Sequence, residues 1–195
     1  MSDNTDNGLP DGAEKTAEQG TGQPARKPAG KGTGKGGGKG PGGPGGPGGA
    51  SKSPRRRARE FALQGLYQWR IGGADEAAIE AHVHEIPGFE KADRNFFLGL
   101  LRGVLNNRVE LCAAIQPYLD RKFDELSPIE ACILLVGGHE LQAHPETPYR
   151  VVINEAIELA KAYGGTDGHK YVNGVLDKLA AKLRPVEVEA RLRSR

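Results

Sequence analysis

The sequence predicts an all-α protein, and three features carry that expectation. From about Pro54 onward apolar residues recur three and four positions apart, no stretch shows the sustained alternation of a half-buried strand, and Gly and Pro serve as punctuation between the periodic stretches. One domain of six or seven helices over residues 54–185 follows, of ordinary size for a single hydrophobic core.

The first helix has Pro54 near its start, an apolar stripe of Ala58, Phe61, Ala62, Leu66 and Trp69, and Gly72-Gly73 at its end. Asp75 can cap a shorter helix containing Ile79 and Val83. Asp93 opens a longer segment running from Phe96 and Phe97 through Leu100, Leu101 and Val104 to Ile115, which is one central helix or two end to end and stops at Pro117. Ser127-Pro128-Ile129-Glu130 has the form of a capping box with Pro at the first helical position, continued by Ile133, Val136, Gly137 and Leu141. Thr147-Pro148 starts a helix through Val152, Ala156, Leu159 and Tyr163, closed by Gly164-Gly165. The last helix begins near Asp167 and runs through Tyr171, Val172, Val175, Leu176 and Leu179 to Pro185, leaving residues 186–195 as a basic C-terminal tail.

Residues 1–53 form a Gly/Pro/Lys-rich segment whose only large aliphatic residue is Leu9, so it is expected to be a disordered tail: it cannot bury enough surface to offset chain entropy. Its triplets around Pro41, Pro44 and Pro47 imitate a collagen repeat too briefly for a triple helix. Residues 1–54 hold seven Lys/Arg and five Asp/Glu, which leaves twenty of each sign in residues 55–195, so any basic surface on the folded part is made by placement and not by excess. No apolar run approaches the ~20 residues of a spanning helix and no secretory signal follows Met1, which makes a soluble, cytoplasmic protein the expectation.

Catalytic and metal chemistries find little support. Cys112 and Cys132 lack partners at metal-ligand spacing and lie among apolar residues. His139 and His144 are five apart, not the four that would place both on one helical face, and His82 and His84 point away from each other. Gly38-Lys39-Gly40 lacks the hydroxyl residue and the strand of a phosphate loop. No cofactor is expected, and no enzyme activity.

Recognition remains. Arg55, Arg56, Arg57 and Arg59 crowd the first turn of a helix, where the macrodipole is positive and each cation costs about 0.3–1 kcal/mol unless an anion compensates. Tyr67 follows two turns later, and guanidinium groups with aromatic faces are equipment for single-stranded RNA. A second cluster, His169, Lys170 and Tyr171 after Asp167, adds donor, cation and ring to a helix N-terminus, although Asp167 as a plain cap and Tyr171 as core are slightly favoured on physical grounds.

The segments RRRAREFALQGLYQW, PYRVVINEAIELAKAYGG and DGHKYVNGVLDKLA, in this order and spacing across about residues 54–185, closely resemble the NusB family of bacterial transcription antitermination factors. The resemblance implies an all-helical fold of two small packed subdomains. It also implies binding of boxA-type RNA in ribosomal-RNA leaders, jointly with the ribosomal small-subunit protein that serves as NusE, and loading onto RNA polymerase with other Nus factors. Carried over residue by residue, the RNA surface comprises Arg55, Arg56, Arg57, Arg59, Tyr67, Asp167, Lys170 and Tyr171, with Asp167 a reader of bases and not of phosphates. The partner surface lies around Arg121, Asp124 and Glu130, the last of which has a competing role in the cap. Family members differ in whether they dimerise, so a homodimer stays among the expected assemblies.

Two other readings stand beside this one. The chain could be a protein-binding helical adaptor whose basic patch meets an acidic partner. It could also be a detached RNA-binding module related to rRNA cytosine methyltransferases, which carry such a domain ahead of a large cofactor domain; with the sequence closing at Arg195, a free-standing methyltransferase is not expected.

Overall fold

A computed structural model describes residues 52–193, and the expected tail, apart from Lys52 and Ser53, lies outside the described residues. These residues form eight α-helices and no strand: α1 Pro54–Gly72, α2 Glu76–Glu85, α3 Arg94–Asn106, α4 Arg108–Ile115, α5 Pro128–Ala143, α6 Tyr149–Tyr163, α7 Gly168–Leu183 and α8 Pro185–Arg193. Short 3₁₀ turns at Phe89–Lys91, Gln116–Tyr118 and Phe123–Glu125 fill the connections.

Local caps set four of the eight helix starts. Ser53 Oγ accepts from Arg56 N at 3.2 Å, Asp75 Oδ1 from Ala78 N at 2.8 Å, Asp93 Oδ1 from Phe96 N at 3.0 Å and Ser127 Oγ from Glu130 N at 3.3 Å. Each satisfies one of the donors a helix N-terminus leaves open. At the far end of α1, Gly73 takes φ 66°, a left-handed conformation that closes the helix and costs a residue without Cβ little. The 93–117 segment divides at Asn107 into α3 and α4, the second of the two expected arrangements, and α8 is the helix beyond the expected count.

Helix α5 is the centre of the domain, packed by α1, α3, α4, α6 and α7. Its residues from Ala131 to Leu141 are all buried, so its sequence is apolar nearly all round instead of striped. Gly137 permits a close approach of α7: a Cβ there would lie 2.9 Å from Leu176 Cδ1. Cys132 behaves as a small apolar residue of this core, its thiol pushed up to about 12 by burial.

Two expectations fail at the ends of the domain. Lys52 and Ser53 belong to the fold and not to the tail, because Ser53 caps α1 and Lys52 Nζ meets Glu60 Oε1 at 2.6 Å. Residues 186–193 are helical as well: Pro185 stops α7 but sits at the first position of α8, where its missing N–H costs nothing. Arg184, at the junction, donates to the carbonyls of Thr147 at 2.6 Å, Leu141 at 2.7 Å and His144 at 2.8 Å, closing the end of α5 and the loop that follows. Glu187 of α8 accepts from Tyr149 N at 2.9 Å and so caps α6 from outside. Among the described residues Thr147 Oγ1, the hydroxyl beside that helix start, is buried and has no hydrogen-bond partner.

Candidate nucleic-acid interface

The N-terminal turn of α1 lies against α3 and α6, and both supply carboxylates. Arg55 is exposed, its Nε 3.7 Å from Asp93 Oδ2 and its guanidinium 5.0 Å from the centre of the Phe96 ring. Arg56 Nη2 donates to Glu158 Oε2 at 3.3 Å. Arg57 is half-buried beside Gly88. The anions called for by the helix dipole are thus partly the protein's own.

Arg59 is a correction. Its side chain is only 5% exposed, and it forms a two-pronged pair with Glu140 of α5, through Nε at 2.8 Å and through Nη2. Nη1 lies 3.8 Å from Glu155 of α6, and the Phe96 ring stacks 5.0 Å from the guanidinium carbon. Facing the core, this fork is removed from any RNA surface and holds α1 to α5 and α6. On a helix that presents Ala58 and Ala62 inward, Arg59 lies about 60° around the axis from Ala62, at the edge of the buried face, and Glu140, itself 1% exposed, makes a cation there tolerable.

Tyr67 is 39% exposed and does not share a surface with Arg59. It lines an apolar pocket of about 220 Å³ with Leu63, Gln64, Ile129 of α5 and Tyr163 of α6. Next to Ile129, Glu130 begins a second cleft of about 280 Å³, bounded by Arg121, Ser127, Asp167, Gly168 and Tyr171. The two expected surfaces, RNA and partner, therefore meet here: Asp167 and Tyr171 from one line the same cleft as Arg121 and Glu130 from the other.

Electrostatics order this cleft. Tyr171 Oη donates to Asp120 Oδ1 at 3.0 Å, while Arg121 engages both oxygens of Asp120 and lies 5.9 Å from the Tyr171 ring centre. The Arg121 guanidinium, helped by the Tyr171 hydroxyl, holds the Asp120 carboxyl at about 2, and burial with the neighbouring carboxylate raises Tyr171. Lys170 Nζ pairs with Asp167 Oδ1 at 2.8 Å, both side chains being largely exposed. Asp167 stands at the start of α7 without a side-chain capping bond. Glu130, expected to close a capping box, instead turns its carboxylate toward Gly168, where a Cβ would lie 2.5 Å from Oε1. Asp124 is the exception among the partner residues: it lines a separate cavity with Trp69, Arg108 and Val109.

Sequence reasoning missed Asp120, Glu158, Lys161 and Tyr163. A signal existed for two of them, since Glu155, Glu158 and Lys161 recur at intervals of three and match the spacing of Arg56 and Arg59. Among the described residues no helix is long and apolar enough to cross a membrane, and no group of three side chains could hold a metal ion.

Known proteins share this sequence and this fold. The transcription antitermination protein NusB of Dechloromonas aromatica is 68% identical over 140 residues, 72% of this chain and 86% of that protein. The protein of the same name from Aromatoleum aromaticum is 60% identical over 141 residues, covering 72% of this chain and 97% of its own length. Among solved structures, T. maritima NusB superimposes with a TM-score of 0.61 at 30% identity, covering 71% of this chain and 99% of that one. A structure of the antitermination factors NusB and NusE in complex with dsRNA shares the fold at 23% identity, with a TM-score of 0.58, over 65% of this chain and 96% of that one. The NusB family model matches residues 56–181, from the arginine turn of α1 almost to the end of α7, and on that match and these relatives the chain belongs to the NusB family, whose members are transcription antitermination factors and not enzymes.

Proposed function

We propose that the protein binds boxA-type RNA of ribosomal-RNA leader transcripts together with the ribosomal small-subunit protein that serves as NusE, and that the pair joins RNA polymerase with other Nus factors to promote rRNA transcription. The observation that carries this reading is the shared cleft, in which Asp167 and Tyr171 stand beside Arg121 and Glu130. A strand and a protein partner that meet at one cleft can each raise the other's affinity, and linkage makes the effect reciprocal. The fold relative crystallised with NusE and dsRNA supports the choice of partners.

On this reading Arg55, Arg56 and Arg57 engage phosphates, Tyr67 and Tyr171 offer rings, and Lys170 and Asp167 border the RNA path. With few phosphates neutralised, the protein alone binds RNA weakly, and the complex is the effective reader. A homodimer would compete for the same surface, and mass in solution with and without RNA distinguishes it.

Mobility shift on boxA-like and scrambled RNA, with and without the ribosomal partner, tests the proposal. Partner-dependent tightening on boxA is expected, and the double substitution Arg56→Ala, Arg57→Ala should weaken binding and flatten its salt dependence. Equal tightening on scrambled RNA would sink the cooperative reading, and an unchanged salt slope would remove α1 from the interface.

A further inference from the structure

Arg56, Glu158 and Lys161 make an arrangement at the rim of the domain in which only Arg56 was expected at an RNA surface. The Glu158 carboxylate divides itself between two cations: Oε2 lies 3.3 Å from Arg56 Nη2 of α1, and Oε1 lies 3.0 Å from Lys161 Nζ one turn along α6. All three side chains are partly open to solvent, at 33%, 42% and 52% exposure for Arg56, Glu158 and Lys161. Lys161 first and Arg56 second hold the carboxyl below its usual range, so it is ionised near neutrality. The neighbouring contact on the same pair of helices, Arg59 with Glu155, has its cation buried and fixed by Glu140. Only the outer contact is open to exchange.

A phosphodiester offers two anionic oxygens in a spacing close to that of a carboxylate, and guanidinium and ammonium groups accept either. We propose that Arg56, Glu158 and Lys161 form a phosphate-exchange site, in which an RNA phosphate displaces the Glu158 carboxylate from both cations. Lys161 thereby joins the RNA interface, and Glu158 becomes a resident competitor that lowers the affinity for any strand placing a phosphate there. This rests on the RNA-binding function proposed above. The resident carboxylate competes with every polyanion at this point, and an exposed ion pair of this kind weighs about 1.5-fold to 5-fold in an equilibrium constant. The cost is common to every strand that places a phosphate there, so it lowers affinity and leaves the preference between strands to base contacts elsewhere.

The test uses the full chain, fluorescence anisotropy on boxA-type RNA and on a scrambled single strand of equal length, and a range of salt. Lys161→Ala should weaken both RNAs and lower the salt slope by about 0.7, the value for one phosphate of a single strand. Glu158→Gln should tighten both RNAs about threefold to fivefold and leave their ratio unchanged. Glu158→Asp, which keeps the charge, should return both affinities toward those of the unsubstituted chain. An unchanged slope in Lys161→Ala, or unchanged affinity for both RNAs in Glu158→Gln, overturns the exchange site, whatever thermal unfolding of the variants shows. Failure of the unsubstituted chain, with its partner, to prefer boxA would overturn the underlying RNA reading instead.

Discussion

Arg56 and Arg59 stand one turn apart on α1, and each reaches a carboxylate of α6, yet they serve opposite ends. Arg59 is 5% exposed and gripped by two oxygens of Glu140, whereas Arg56 is 33% exposed and meets Glu158 through one long contact. What differs is the third partner: α5 places a buried carboxylate behind Arg59 and nothing equivalent behind Arg56 among the described residues. A buried pair must stay complete, because either half alone is a stranded charge, while a rim pair lies close to balance with water and can trade partners.

The largest effect that would break this contrast is Arg59→Ala. Leaving Glu140 uncompensated in the core should cost about 3–5 kcal/mol, measured as a lower denaturation midpoint at constant m-value. Removing both halves, as Arg59→Met with Glu140→Leu, should cost much less than Arg59→Ala alone, because no charge is left behind; equal losses would mean that packing and not charge dominates the site.

Acid sharpens the same contrast. His139, next to Glu140, has its pKa lowered chiefly by burial and then by His144, while Glu140 and the Gly99 carbonyl oppose the shift. The folded state therefore binds this proton less readily than the unfolded chain, whose His titrates near 6.5. Stability tied to His139 is fully present above about 6.5 and is lost as pH falls from there toward the lowered folded value, with a slope of at most about 1.4 kcal/mol per pH unit. Denaturant titrations at pH 7.5 and 5.5 should show the loss, and His139→Gln should reduce it.

Smaller effects belong to the rim and the cleft. Arg56→Ala should change stability by less than about 0.5 kcal/mol in denaturant titration while weakening RNA, the reverse of the Arg59→Ala outcome. Tyr171→Phe should leave unfolding nearly unchanged but let the Asp120 carboxyl titrate above its present value of about 2, since one of the donors holding it down is gone; carboxyl NMR shifts against pH read this directly.

The sequence made visible whatever depends on near neighbours. Asp75, Asp93 and Ser127 act within three residues, so their caps could be read from spacing alone, whereas Ser53, which caps α1 over the same span, falls in the expected tail. The inward turn of Arg59 could have been suspected from its place between Ala58 and Ala62, but its partner lies 81 residues away and no local pattern announces it. The two clusters quoted for RNA were each legible, whereas their meeting with Arg121 and Glu130 depends on how the α6–α7 turn lies against the start of α5. At the C-terminal end the opposite error arose: Pro185 was read as a stop, although the same residue suits the first position of a new helix.

That last helix also bears on the timing of synthesis. Glu187 caps a helix whose first residue, Tyr149, precedes it by 38 positions, and Arg184 closes carbonyls 37 to 44 positions upstream. On a ribosome adding roughly 5–20 residues per second, the start of α6 is made roughly 2–8 s before its cap exists. Until then Tyr149 N lacks its cap, and that end of α6 is completed only when the chain has passed the α7–α8 junction.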